Sequence, residues 1–192
     1  MSIAKNRITK LVMVAASAAL VATGTTAPAQ ADQHTFKDRR GDMRSGIDVR
    51  TVKVTNNGRW IKFRSTHRNL KYGPHVRGGL VAFFIDTIRR RKGPEFKLYT
   101  PVGFDGEYYL MKTRRWKTPD QGMGLGCRVK ININYRKDAV WFAVKRVCLA
   151  NAYLRKVGRI RASVHAIQFR KGRNRHDWAP RRRHFYPAVL KS

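Results

Sequence analysis

Acidic residues are scarce in this chain. Its 192 residues include 11 Asp and Glu against 42 Lys and Arg, which gives a formal net charge of +31 at pH 7. A surface with so little negative charge repels itself unless counter-ions or an anionic partner neutralise it. The composition therefore favours a protein that binds an anionic partner.

Motifs of the common catalytic sites are absent as well. No serine lies in a G-x-S-x-G motif, and the six histidines show no H-E-x-x-H spacing. The glycine-rich stretch 122–126 lacks the Lys and the following helix of a phosphate-binding loop. Asp105 and Glu107 form one loose pair of carboxylates of the kind that glycosidases use. The sequence predicts a protein that is not an enzyme, and a secreted hydrolase is the competing hypothesis.

A sustained 3.6-residue apolar period is missing after residue 31. Instead, apolar and polar residues alternate over short stretches separated by turn residues, which is typical of an all-β domain. About eight such stretches predict a two-sheet antiparallel β-sandwich over 32–169, followed by a basic C-terminal tail over 170–192. A β-barrel is the alternative.

Two hairpins can be placed in register from the sequence. A two-residue turn at Asn57-Gly58 pairs positions whose numbers add to 115, so that Lys53 faces Lys62. In the second hairpin, a turn at 136–139 pairs positions that add to 275 and puts Cys127 opposite Cys148.

Those are the two cysteines of the chain. Directly opposed residues of antiparallel strands are about 4.5–5.5 Å apart at Cα, which is within the range that a disulfide bridges. In an oxidising compartment, one cysteine pair favours a disulfide over two free thiols. We therefore predict a Cys127–Cys148 disulfide.

The N-terminus has the three parts of an export signal. Lys5, Arg7 and Lys10 precede an apolar run at 11–21, and small residues follow at Ala29 and Ala31. A run of 11 residues is shorter than the about 18 that a membrane-spanning helix needs, although an uncleaved anchor is the alternative. We predict that 1–31 is a removed signal peptide and that the protein is secreted, with no transmembrane segment. The remaining 161 of 192 residues then carry 39 basic and 11 acidic side chains, a net charge of +28.

A series of short segments resembles a group of small exported actinobacterial proteins of unknown function. The segments are Cys127 and 38–42 (DRRGD), 46–49 (GIDV), 84–87 (FIDT), 93–96 (GPEF), 146–149 (RVCL) and 177–180 (DWAP). The architecture of this group is similar to the β-sandwich of family 9 carbohydrate-binding modules. The resemblance implies a β-sandwich, but the exposed aromatic set of the sugar-binding relatives has no match here residue by residue.

Four of the few acids are candidates for a structural calcium site. Asp38, Asp42 and Asp48 lie within 11 positions, and Asp86 ends an apolar stretch. Clustered carboxylates and nearby carbonyls are the ligands that Ca²⁺ requires. Because arginines stand close to these acids in sequence, turn capping and ion pairs are the alternative. No other cofactor is expected.

Basic residues occur in runs and also on the outward faces of the predicted strands. Lys and Arg interleaved with aromatic residues suit anionic polymers, through contacts to phosphate and through stacking. The alternative is a solvated surface, with the tryptophans packed in the core. The predicted polyanion-binding residues are Lys53, Lys62, Arg64, Arg128, Lys130, Trp141 and Lys145.

Together, these patterns favour a secreted, non-enzymatic module that binds an anionic polymer. Candidate ligands are a phosphate-bearing cell-wall polymer such as teichoic acid, an acidic glycan and extracellular nucleic acid. A neutral carbohydrate-binding module, which needs an exposed aromatic strip, is the competing binding class. A structural protein with a generically basic surface is a further alternative.

Overall fold

The computed structural model describes residues 33–38, 43, 46–73, 78–103, 107–117 and 124–191. The predicted signal peptide lies outside these ranges, as do Asp42 and Asp105. Within them, the chain forms strands and one short helix. The elements are β1 Gln33–Lys37, β2 Val49–Asn57, β3 Trp60–His67, β4 Gly79–Asp86, β5 Phe96–Val102, β6 Tyr109–Lys112, β7 Val129–Asn134, β8 Ala139–Lys145, α1 Arg146–Asn151, β9 Arg159–Gln168, β10 Arg175–Ala179 and β11 Val189–Leu190.

The strands form two antiparallel sheets, which confirms the predicted β-sandwich. One sheet has five strands in the order β1-β2-β3-β8-β7, and the other has six, in the order β10-β9-β4-β5-β6 with β11 also on β9. The described strands leave both sheets open rather than closing into a barrel. Strand β4 pairs with one edge of β9, and both β10 and β11 pair with its other edge. The segment that we predicted as a basic tail thus contributes two strands to the sandwich, and 169 does not mark the end of the sheet.

Alternating apolar side chains from both sheets fill the space between them. Phe83 of β4 lies at the centre, with its ring centroid 5.6 Å from that of Phe63 in β3 and 5.7 Å from that of Phe142 in β8. All three side chains are fully buried. Aromatic pairs in tilted or edge-on arrangements are each worth about 0.5–1.5 kcal/mol beyond the area they bury. This cluster fixes the five-stranded sheet against the six-stranded sheet.

The β2–β3 hairpin has a different register from the predicted one. Paired positions add to 117 instead of 115, so Lys53 faces Arg64 and the predicted pairing with Lys62 is wrong. The turn consists of Gly58 and Arg59, and Gly58 has φ +49°, a backbone conformation that glycine adopts at little steric cost. The turn therefore lies one residue later than predicted. Because the shift in pairing is two residues, every side chain keeps its predicted face.

The β7–β8 hairpin is shifted by two residues as well. Its paired positions add to 273 instead of 275, and its turn spans 135–138. Asn134 closes this turn by accepting a hydrogen bond from the backbone N–H of Lys137 at 2.8 Å. Tyr135 leaves the strand, and its hydroxyl accepts a hydrogen bond from the backbone N–H of Gly103 at 3.1 Å. The predicted strand pairing of the two cysteines is therefore wrong.

The Cys127–Cys148 disulfide itself is confirmed. The two Cα atoms are 6.0 Å apart. Cys148 lies in α1, a helix that the sequence pattern did not predict, and Cys127 precedes β7. The disulfide therefore ties α1 to the start of β7 rather than linking two paired strands. Among the described residues, no helix is long and apolar enough to cross a membrane.

Candidate anion-binding face

The outward side chains of the five-stranded sheet form one surface, which we call the basic face. Strand pairing aligns its residues in rows that run across the sheet. One row consists of Thr35, Lys53, Arg64, Trp141 and Asn132, from β1, β2, β3, β8 and β7. The next consists of Gln33, Thr55, Lys62, Ala143 and Lys130, and a third contains Asn57, Trp60 and Lys145. The rows bring residues from five separate strands to one surface.

A concavity of about 660 Å³ lies in the middle of the basic face. Lys53, Lys62, Arg64 and Trp141 line it, so four of the seven predicted binding residues are brought together. Several polar side chains that were not predicted from the sequence also line it. These are Gln33, Thr55, Asn57, Asn132, Asn134 and Lys137. The alternation of Asn132 and Asn134 with apolar residues in β7 is the signal that could have placed them on this face.

The concavity has a strongly positive lining. Four of the described residues that line it are Lys or Arg, and none of them is Asp or Glu. The opposed pair in it, Lys53 and Arg64, consists of like charges, which destabilises a sheet by about 0.2–1 kcal/mol. The amides and the Trp141 ring add hydrogen-bonding groups and a stacking surface beside this charge. The arrangement suits an extended ligand that carries anionic groups and flat or ring-shaped units.

The other three predicted residues lie beside the concavity. Lys130 and Lys145 hold their ammonium groups 5.0 and 5.8 Å from the ring centroid of Trp60, in cation–π contacts. Arg128 is exposed and directly precedes β7. Trp60 thus lies under two lysines on the outward face of the sheet, and not in the core as the packing alternative had it.

The described acids of the calcium hypothesis, unlike the basic residues, are not brought together on one surface. Asp48 is buried, and its carboxylate accepts a hydrogen bond from the Met43 N–H at 3.2 Å and pairs with Arg50 at 3.2 Å. Asp38 accepts a hydrogen bond from the Tyr186 hydroxyl at 3.4 Å. In the described part of the chain, no group of three His, Cys, Asp or Glu side chains could hold a metal ion.

Asp86 lies at the opposite end of the sandwich from Asp48, so the idea that it joins the other acids is wrong. It is buried at the end of β4, where Arg161 contacts its carboxylate at 2.5 Å and Arg159 at 3.7 Å. Ion pairs with arginines, the alternative interpretation, therefore account for Asp48 and Asp86. Asp42 lies outside the described residues, and a site that includes it stays a prediction.

The outer face of the six-stranded sheet is aromatic, which was not predicted from the sequence. One row across it consists of Trp178, His165, Ala82, Tyr99 and Tyr109. The rings stack on one another, with centroids 4.0 Å apart for His165 and Trp178 and 5.1 Å for Tyr99 and Tyr109. Each of these four rings therefore has a face against a neighbouring ring. Burial, and then the charges of His176, Lys97 and Arg182, lower the pKa of His165 to about 3.

Comparison with known proteins gives no further assignment. No protein-family model matches the chain, and no curated protein matches it. The resemblance to small exported proteins thus stays a prediction.

Proposed function

We propose that the protein is a secreted, non-enzymatic module that binds an anionic polymer on its basic face. The observation that carries this proposal is the concavity with Lys53, Lys62, Arg64 and Lys137 in its lining, beside Trp141 and without a described acid. Strands hold these side chains in fixed rows, so a polymer that crosses the sheet meets several cations in succession. Cell-wall phosphate polymers, acidic glycans and extracellular nucleic acid share the required anionic chemistry.

Salt dependence distinguishes this mode of binding. A protein that neutralises phosphates releases condensed counter-ions, so the logarithm of affinity falls linearly with the logarithm of salt concentration, by about 0.9 per contact on double-stranded DNA. We therefore expect the double substitution Lys53→Gln and Arg64→Gln to flatten this slope by about two units, measured by fluorescence anisotropy with a labelled DNA duplex. Heparin and a poly(glycerol phosphate) serve as competitors that rank the three polymer classes.

A matched control separates a site from a generic charge coat. Lys171→Gln with Arg173→Gln removes the same charge from the exposed β9–β10 connection, away from the basic face. We expect this control to keep the wild-type slope. The proposal would be contradicted if both double variants flattened the salt slope equally. It would also be contradicted if the protein were not retained on any of the three polymers at low salt.

The aromatic row on the six-stranded sheet supports a second candidate, a neutral carbohydrate-binding module. Tyr109 is exposed at one end of the row and is one of the described aromatic residues that a sugar could reach. Retention on a neutral polysaccharide that is insensitive to salt and lost on Tyr109→Ala would favour this candidate. The mutual stacking of the rings, which covers one face of each, makes it the weaker of the two.

A further inference from the structure

Two leucines are exposed together at the end of the sandwich where β2 turns into β3. Leu154, in the turn after α1, is 91% exposed, and Leu190 of β11 is 60% exposed. Both line a single concavity of about 660 Å³. Scattered exposed apolar residues are normal, but exposed aliphatic residues that share one depression mark an interaction surface more often. We call this surface the leucine end.

The structure holds Leu154 outward. The Leu154 backbone has φ +51° and donates a hydrogen bond to the Asn151 carbonyl at 3.2 Å. The preceding Tyr153 is anchored, with its ring centroid 5.4 Å from that of Phe96 and the Arg91 guanidinium 4.6 Å above it. A leucine in left-handed backbone conformation is uncommon and persists where the surroundings impose it. The anchored turn therefore presents Leu154 to solvent.

Basic side chains surround the two leucines. The same concavity is lined by Arg89, Arg90, Arg155, Lys156 and Arg159. The acids among the described residues of this end are turned inward. Asp86 is buried against Arg159 and Arg161, and Glu95 is buried and accepts hydrogen bonds from the backbone N–H groups of Thr87 and Ile88 at 2.7 and 3.2 Å. The leucine end thus presents apolar side chains within a cationic rim.

We propose that the leucine end docks on the surface of an anionic lipid bilayer. Lys and Arg near a bilayer surface are attracted to anionic headgroups. Aliphatic side chains bury apolar area when they enter the boundary between headgroups and acyl chains, which strengthens binding. A polymer dissolved in water has no hydrocarbon layer into which Leu154 and Leu190 could insert. The leucines therefore favour a bilayer over a soluble polyanion at this site. This surface is separate from the basic face and does not depend on it.

Vesicle binding tests the proposal. We expect the protein to sediment with vesicles of phosphatidylcholine and phosphatidylglycerol but not with phosphatidylcholine alone. Leu154→Ser with Leu190→Ser should weaken binding to the anionic vesicles by about tenfold. Each CH₂ group that enters the bilayer contributes favourable binding free energy, and the double variant loses that contribution. Phe169→Ser is a control for an exposed apolar residue elsewhere, since Phe169 is 39% exposed and follows β9 at the end opposite to Arg159, so its loss should leave binding unchanged. Unaltered binding of the double leucine variant would show that charge alone acts and would overturn the proposal.

A second measurement reports insertion directly. Leu154→Trp places a fluorophore at a position that is 91% exposed, so the fold should tolerate it. We expect anionic vesicles with acyl chains brominated near the headgroup to quench the tryptophan fluorescence of this variant. The quenched fraction should exceed that of the wild-type protein, because the new tryptophan enters the bilayer. Absence of quenching would contradict docking through this end. The two proposals can fail separately, because Lys53→Gln with Arg64→Gln should impair DNA binding and keep the leucine dependence on vesicles, whereas the leucine variant should bind DNA as wild type does.

Discussion

Acidification is expected to destabilise the sandwich through His67, the last residue of β3. Its side chain is buried, with Nδ1 2.8 Å from the Ile47 carbonyl oxygen and Nε2 2.8 Å from the Ser65 hydroxyl. A carbonyl only accepts hydrogen bonds, so Nδ1 carries the proton and Nε2 accepts from Ser65. The neutral imidazole therefore satisfies both partners, and a second proton would place a positive charge in a buried site.

The magnitude follows from the pKa. Burial lowers the pKa of His67 from 6.5 to about 4, against the opposing effects of the Ile47 hydrogen bond and of Asp138 and Asp48. Above pH 6.5 both the folded and the unfolded state are neutral, and His67 contributes no pH dependence. As the pH falls below 6.5, the unfolded chain gains a proton that the folded chain does not. The free energy of unfolding should therefore drop, by about 2.5 kcal/mol at pH 4.5, and level off below about pH 4.

Urea unfolding at pH 7 and pH 4.5 measures this effect. His67→Asn keeps a donor for the Ile47 carbonyl but cannot be protonated, so its loss of stability between the two pH values should be smaller by about 2.5 kcal/mol. Carboxylates titrate in both proteins, and their contributions cancel in the comparison. If wild type and variant lose the same stability on acidification, His67 is not the buried base that its hydrogen bonds indicate.

Three further predictions concern the same framework. Replacing Cys127 and Cys148 by Ser should lower the free energy of unfolding by about 3 kcal/mol, measured in urea, since the bond closes a loop with a sequence separation of 21. Asp86→Asn should destabilise the protein by about 2 kcal/mol, because Arg159 and Arg161 lose the carboxylate that they share. The calcium hypothesis for Asp38, Asp42 and Asp48 predicts a higher Tm in millimolar calcium than in chelator, and an unchanged melting curve would remove it.

The sequence pattern predicted what depends on local alternation. The sandwich class follows from the period of two, and the buried and exposed faces of β2, β3, β7 and β8 agree with it. Both hairpin registers were wrong by two residues, because the conformation of Gly58 and the contact between Tyr135 and Gly103 decide where each chain turns. A shift of two keeps the face of every side chain. For this reason Lys53, Lys62, Arg64 and Trp141 still meet in one concavity.

Contacts between distant segments could not be predicted in the same way. Strand β10 is held by Asp177, whose carboxylate accepts a hydrogen bond from the Val49 N–H 128 positions away at 2.6 Å. Asn56 of β2 donates to the Val189 carbonyl of β11 at 2.8 Å, across 133 positions. Buried polar groups require such partners, but nothing in the local pattern says where they are. The disulfide was predicted because two cysteines leave one pairing, even though the strand register used to support it was wrong.

The charge on the basic face is not explained by the fold. Two residues along the sheet from the Lys53–Arg64 pair, Thr51 and Thr66 face each other and their hydroxyls form a hydrogen bond of 2.6 Å. A neutral pair of this kind stabilises neighbouring strands, whereas opposed cations destabilise them by about 0.2–1 kcal/mol. The side chains of both rows point away from the core, so packing does not require charge in either. What distinguishes the two rows is the concavity, which Lys53 and Arg64 line and the two threonines do not. This placement is what the proposed binding of an anionic polymer requires, whereas the strand pairing alone gives these cations no role.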